Sequence, residues 1–181
     1  MRCLRRERHC VMEVMSMNSV VIYASRYGNT KRIAEAIAEG LRPFGTTQVV
    51  AAAEGPMRLP EGTDLVVIGG PTEVHGMTKA LATVFDHFAP ETVKGVAAAT
   101  FDTRLQGARW LTGSAGVGAE KKLRHLGADI IVPTESFFVK KGEGAVKDEA
   151  PKLELGELER ATQWAAALAE QARSAPVTTP H

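Results

Sequence analysis

Val20-Val21-Ile22-Tyr23-Ala24, followed at once by Ser25-Arg26-Tyr27-Gly28-Asn29-Thr30, is the stretch that decides the fold. The first five residues are an apolar, largely β-branched run of the kind found in a strand buried on both faces. Beyond Thr30 the period changes. Ile33, Ile37 and Leu41 recur at i, i+4 and i+8 with Ala34 and Ala38 beside them, while Lys31, Arg32, Glu35 and Glu39 fall on the opposite face. Gly40 and Pro43 are expected to end that helix.

The same alternation continues outward. Thr46–Ala52 reads as a second strand, and Leu65-Val66-Val67-Ile68-Gly69-Gly70 as a third, introduced by the turn-like Glu61-Gly62-Thr63-Asp64. A loop over 71–76 leads to a helix with Leu81, Val84, Phe85 and Phe88 on one face, then a fourth strand over Val96–Phe101. A glycine-rich stretch from Gly107 to Gly118 precedes a helix carrying Ala115, Ala119, Leu123 and Leu126, stopped by Gly127. Asp129–Val132 and Ser136–Val139 form a fifth strand interrupted at Pro133, which cannot donate to a ladder and so predicts an edge position or a bulge. Leu158, Ala161, Ala165, Leu168 and Ala172 mark the last helix. Strands alternating with helices pair in parallel through right-handed crossovers. The fold class is therefore α/β: a doubly wound three-layer sandwich around a five-stranded parallel sheet.

The ends of the chain carry no such pattern. Residues 1–18 are expected to be a disordered arm or the product of an upstream start, residues 19–173 the domain, and residues 174–181 a polar tail. The arm has Arg2, Arg5, Arg6 and Arg8 but lacks the apolar run of a signal peptide. Cys3 and Cys10 are the only cysteines of the 181 residues and lie outside any CxxC spacing, so no disulfide framework is expected and a reducing cytoplasm is the natural setting. The net charge of +1 gives no bulk reason to expect a nucleic-acid or membrane partner. No apolar run approaches the ~20 residues needed to cross a bilayer.

In a doubly wound sheet a ligand lies beyond the carboxyl ends of the strands, where strand order reverses. Ser25–Thr30 is the first loop at that place. It joins a buried strand to a helix N-terminus, whose unpaired amides and partial positive charge suit a phosphate. The Ser25 and Thr30 hydroxyls can donate to phosphate oxygens, Gly28 and Asn29 tolerate a left-handed backbone, and Arg26 can add a charged contact. An ordinary turn in which Asn29 or Thr30 caps the helix is the bland alternative. Neither a G-x-G-x-x-G fingerprint nor a P-loop lysine is present.

The segment from Val21 to Thr30, followed by its alanine-rich amphipathic helix, resembles the signature of the flavodoxin family. Gly69-Gly70-Pro71-Thr72 after the third strand is a second, weaker point of likeness, and the resemblance extends over roughly residues 19–172 in the short-chain form. It implies that Ser25, Arg26, Tyr27, Gly28, Asn29 and Thr30 wrap the monophosphate of FMN. It also implies that Pro71, Thr72, Glu73, Val74, His75 and Gly76 lie along the isoalloxazine ring, with Gly76 free to flip its peptide at flavin N5. After the fourth strand, where the family usually offers a stacking aromatic, this chain has Phe101, Asp102, Thr103 and Arg104, with Trp110 further on. Asp102 or Thr103 is expected at the pyrimidine edge.

The function implied is non-covalent electron transfer, with FMN cycling between oxidised, semiquinone and hydroquinone states, and no catalytic side chain or metal. Two alternatives stay open: an FMN-dependent NAD(P)H:quinone reductase, and a flavodoxin-like interaction module that has lost flavin. The flavodoxin reading expects a monomer or weak dimer served by a reductase or acceptor protein whose identity the sequence does not give.

Overall fold

The computed structural model describes residues 16–52, 59–73, 76–88, 90–107, 113–141 and 150–174. Its elements in chain order are β1 (Ser19–Tyr23), α1 (Asn29–Leu41), β2 (Thr47–Ala51), β3 (Leu65–Glu73), β4 (Gly76–Met77), α2 (Lys79–His87), α3 (Pro90–Val93), β5 (Ala97–Leu105), α4 (Ala115–His125), β6 (Asp129–Ile130), β7 (Glu135–Lys140), β8 (Lys152–Leu153) and α5 (Glu157–Ser174). The sheet order is β2-β1-β3-β5-β7-β8. Every pairing along β2 to β7 is parallel, and β8 closes the edge antiparallel to β7. From β1 the chain steps outward to β2 and then crosses back to β3, so strand order reverses between β1 and β3. The α/β doubly wound sandwich is the architecture found. No helix among the described residues is long and apolar enough to cross a membrane.

The apolar alternation of β1 and β3 divides the core between two faces. Val20, Ile22, Val66 and Ile68 pack with Leu81, Phe85 and Leu123 of α2 and α4. Val21 and Val67 pack on the other face with Ile33, Ile37 and Leu41 of α1 and Leu168 of α5. Each such side chain, taken fully out of water, contributes about 1.5–3 kcal/mol.

α1 ends at Leu41, between Gly40 and Pro43 as expected, and Gly40 itself lies in the last turn of the helix. Its place is explained by close approach: a Cβ there would lie 2.4 Å from the Thr162 carbonyl oxygen and 2.8 Å from the Ala165 Cβ. The missing side chain lets α5 cross α1 at backbone distance, and the Thr162 hydroxyl donates to the Ala36 carbonyl at 3.2 Å.

Pro133 divides the fifth strand as its chemistry requires. β6 pairs with β5 at Ala97 and Ala98, and β7 resumes at Phe101 opposite Glu135. Two extra residues are thereby accommodated between Ile130 and Glu135. The bulge is tied down by Thr134, whose hydroxyl pairs with that of Thr100 at 2.8 Å and donates to Glu120 of α4 at 2.8 Å. Burial works against the Glu120 charge, but the bonds from Thr134 and Arg124 outweigh it and hold this carboxyl below its usual range.

β8 covers only the end of β7. Along the remainder, α5 supplies side chains where a neighbouring strand would supply backbone. Glu157 accepts the Phe138 N–H at 2.8 Å, and Arg160 donates to the Ser136 carbonyl at 2.5 Å. Burial opposes the Arg160 charge, yet hydrogen bonding and attraction from Glu157 and then Glu135 raise its pKa on balance.

At the N-terminal boundary the expectation needs shortening. Met17 is buried, and its N–H donates to the Phe44 carbonyl at 2.9 Å. Asn18 accepts the Asp64 N–H through its backbone carbonyl at 2.9 Å. The packed unit thus includes Met17 and Asn18, which the sequence placed in the arm. Residues 1–15 lie outside the described part of the chain.

Candidate functional site

The carboxyl ends of β1, β3, β5 and β7 converge on a cavity of about 150 Å³. From the first loop it is lined by Arg26, Tyr27, Asn29 and Thr30, from β3 by Pro71, Thr72 and Glu73, and from β5 by Thr103, Arg104 and Leu105. Nine of the residues expected at the site are thus brought together here. Ser25 and Gly28 instead line an adjoining hollow of about 250 Å³ with Tyr23, Lys31 and Ala80.

The local geometry of the first loop follows from Gly28. Its φ of +84° is a left-handed conformation that costs a residue with a Cβ about 1–2 kcal/mol, and it turns the chain directly into α1. No side chain caps α1, so neither Asn29 nor Thr30 plays the bland capping part. The Ser25 hydroxyl accepts the Gly28 N–H at 3.1 Å, ahead of the helix. The Asn29 side-chain amide donates to the Pro151 carbonyl at 2.6 Å. Buried at the cavity wall, the Thr30 and Thr103 hydroxyls lie 2.7 Å apart. Only one proton is needed for that bond, which leaves the other hydroxyl a proton to give.

The second and third segments differ locally from the loops expected there. Pro71, Thr72 and Glu73 are strand rather than loop: β3 runs nine residues to Glu73 and pairs antiparallel with β4 through Thr72 and Met77, and Glu73 and Gly76. Gly76 is therefore a paired strand residue, it is absent from the glycines with positive φ, and a Cβ on it would meet nothing within 4 Å. Phe101 belongs to the core. It is fully buried, packed edge-on against Phe137 with ring centroids 6.1 Å apart. Val74, His75 and Trp110 lie outside the described residues.

Asp102 is likewise fully buried and is not among the residues that line the cavity. One oxygen, Oδ2, takes the Ser114 hydroxyl, the Thr72 hydroxyl at 3.3 Å and the Gly116 N–H at 3.3 Å. Thr72 in turn accepts the Ala115 N–H at 2.9 Å. Asp102 holds the end of β3 against the start of α4, beneath the cavity floor. Arg104 is buried with its guanidinium over the Phe138 ring, 5.6 Å from the centroid, and it donates to the Gly107 carbonyl at 3.0 Å.

Leu105, Val139 and Pro151 also line the cavity and escaped the sequence reading. Leu105 and Val139 follow from strand length, because β5 and β7 both extend to the carboxyl edge. Pro151 has no signal of its own; its position depends on the two-residue pairing of β8 with Val139 and Lys140.

A doubly wound α/β domain with an uncapped helix N-terminus and a cavity at its strand-order reversal belongs to the class that binds phosphorylated ligands beyond the strand ends. The chain is a member of the flavodoxin family, whose family model matches residues 21–164 and whose members generally bind FMN. No curated protein sequence matches it. Among solved structures it is similar to a flavodoxin from the domain Archaea, with a TM-score of 0.67 and 19% identity over 87% of this chain and 99% of that one. Flavodoxin 1 from Bacillus cereus gives a TM-score of 0.67 and 21% identity over 84% and 97% of the two chains. The flavodiiron protein from Giardia intestinalis gives 0.62 and 19%, with 87% of this chain spanning 36% of that one. At such identities the likeness establishes the fold.

Proposed function

We propose that this chain binds FMN non-covalently and carries electrons between partner proteins. The observation that supports this reading most directly is the uncapped start of α1 beside the three-segment cavity. The donor set there suits a phosphate monoester. It combines first-turn amides, the Ser25 hydroxyl, the spare proton of the Thr30 and Thr103 pair and the Arg26 guanidinium. When bound, the flavin supplies the one-electron chemistry. The residues of the chain bind and orient it, and none is required as a general acid or base.

The test is fluorescence quenching of FMN and FAD on titration with flavin-free protein, together with a visible spectrum of the purified protein. FMN is expected to bind at least about tenfold more tightly than FAD, since nothing among the described residues of the site reads an adenosine. Equal affinities, or no binding of either, would overturn the reading. Bleaching of bound flavin by NAD(P)H without a reductase would replace the carrier by an oxidoreductase acting on its own.

A further inference from the structure

The only acidic side chain lining the cavity among the described residues is Glu73, and it faces the only guanidinium of the first loop. Arg26 Nη1 lies 3.5 Å from Glu73 Oε1, bridging the first loop to the end of β3 across the mouth. The Arg26 guanidinium also sits 5.2 Å from the centroid of the Tyr27 ring. The pair is wet, with side chains 64% and 36% exposed. Pairs of that exposure hold weakly and exchange partners readily.

We infer that Glu73 is an internal competitor of the ligand's phosphate for Arg26, so that this one ion pair sets how strongly the site prefers a phosphorylated flavin over an unphosphorylated one. The inference rests on the phosphate reading of the first loop. A phosphate monoester near neutral pH carries between one and two negative charges and three acceptor oxygens, against one charge on Glu73. Seated at the start of α1 it also gains from the helix amides, which Glu73 does not touch. Arg26 therefore leaves Glu73 for the phosphate on binding. The free carboxylate that remains at the mouth repels the incoming anion. Both effects make Glu73 lower the affinity for FMN, while riboflavin, lacking the phosphate, is affected less.

The experiment measures dissociation constants of flavin-free wild type, Glu73→Gln, Arg26→Ala and the double variant for FMN and for riboflavin, at low and high salt. Glu73→Gln is expected to tighten FMN about two- to fivefold, the range spanned by exposed ion pairs. Arg26→Ala is expected to weaken FMN about tenfold, as for a charge-assisted bond. Riboflavin affinity shifts by a smaller factor than FMN affinity in each variant, and salt shrinks both FMN effects. In the Arg26→Ala background the gain from Glu73→Gln falls to the residual repulsion, below about twofold. FMN affinity unchanged or weakened in Glu73→Gln, or a full gain persisting without Arg26, would overturn the exchange while leaving the phosphate site standing. Wild-type protein that binds FMN no better than riboflavin would overturn the phosphate site, and the exchange with it.

Discussion

Two helices begin at the same edge of this sheet, and they begin differently. At the start of α4 the first three amides are all taken by the protein: Ala115 by the Thr72 hydroxyl at 2.9 Å, Gly116 by Asp102 at 3.3 Å and Val117 by the Ser114 hydroxyl at 3.1 Å. At the start of α1 a left-handed glycine stands where a capping side chain would, and no side chain bonds the helix. Both termini carry the same partial positive charge. The difference shows that a helix start becomes a binding site through what the protein leaves off it. α4 is closed by a buried carboxylate that belongs to the fold, and the start of α1 is left open to the anion proposed above.

Removing the closure of α4 should give the largest effect. Asp102→Ala leaves two hydroxyls and a buried N–H without their acceptor, at a cost of about 3 kcal/mol. For a domain of this size that lowers the melting temperature by roughly 6–12 °C, while Asp102→Asn, which keeps an acceptor oxygen, loses less. A wild-type melting curve for Asp102→Ala would erase the contrast between the two helices.

The corresponding change at α1 should act on binding more than on stability. A Cβ at Gly28 meets no atom within 4 Å, and the left-handed backbone alone makes Gly28→Val cost about 1–2 kcal/mol. Its FMN affinity should fall by a larger factor than its stability, with an unchanged far-UV circular dichroism spectrum. Full retention of FMN affinity would show that the bare terminus is not where the phosphate lies. Thr30→Val removes one hydroxyl of the buried pair and should weaken FMN by about 1 kcal/mol, roughly fivefold in a fluorescence titration.

The smallest effect sharpens the comparison from the far side of α4. Glu120 has a folded pKa below its ordinary value of 4.5, so its contribution to stability is present above that value and is lost as pH falls through the folded one. Glu120→Gln should therefore flatten the acid limb of the stability profile below about pH 4.5, by under about 1 kcal/mol. An acid limb identical to wild type would show α4 fastened at its start alone.

The central strands were legible because Val20–Tyr23 and Leu65–Ile68 are buried on both faces and carry nothing but apolar side chains. β5 was read four residues short, since Asp102, Thr103 and Arg104 have the composition of a loop. Their strand conformation comes from tertiary partners: register against Gly70 and Pro71 on one side and Ser136 to Phe138 on the other. Sequence likewise does not distinguish a carboxylate offered to solvent from one enclosed, as Asp102 is, by Ser114 and Gly116. Gly69 and Gly70 were read within the third strand, and they are strand. A Cβ on Gly69 would strike the Phe101 ring at 2.4 Å, and one on Gly70 would meet Leu81 at 2.9 Å. Glycine serves packing there, where the sheet meets the Phe101 ring and Leu81. The first loop was legible since its chemistry is local to six consecutive residues, whereas the far wall at Pro151 depends on a contact across 122 positions of sequence.

The side chains of Glu157 and Arg160 along β7 bear on how copies of this molecule behave when crowded. A sheet margin with free donors and acceptors is a template on which another chain can lay a strand, and repetition of that act builds fibrils. Here the Phe138 N–H and the Ser136 carbonyl are engaged by a carboxylate and a guanidinium. A second molecule arriving edge-on must first strip two ion-paired groups from that margin, and it has only neutral peptide groups to offer in exchange. With a net charge of +1 the chain has little general repulsion to keep its copies apart. Colloidal stability at this margin rests on two residues of α5.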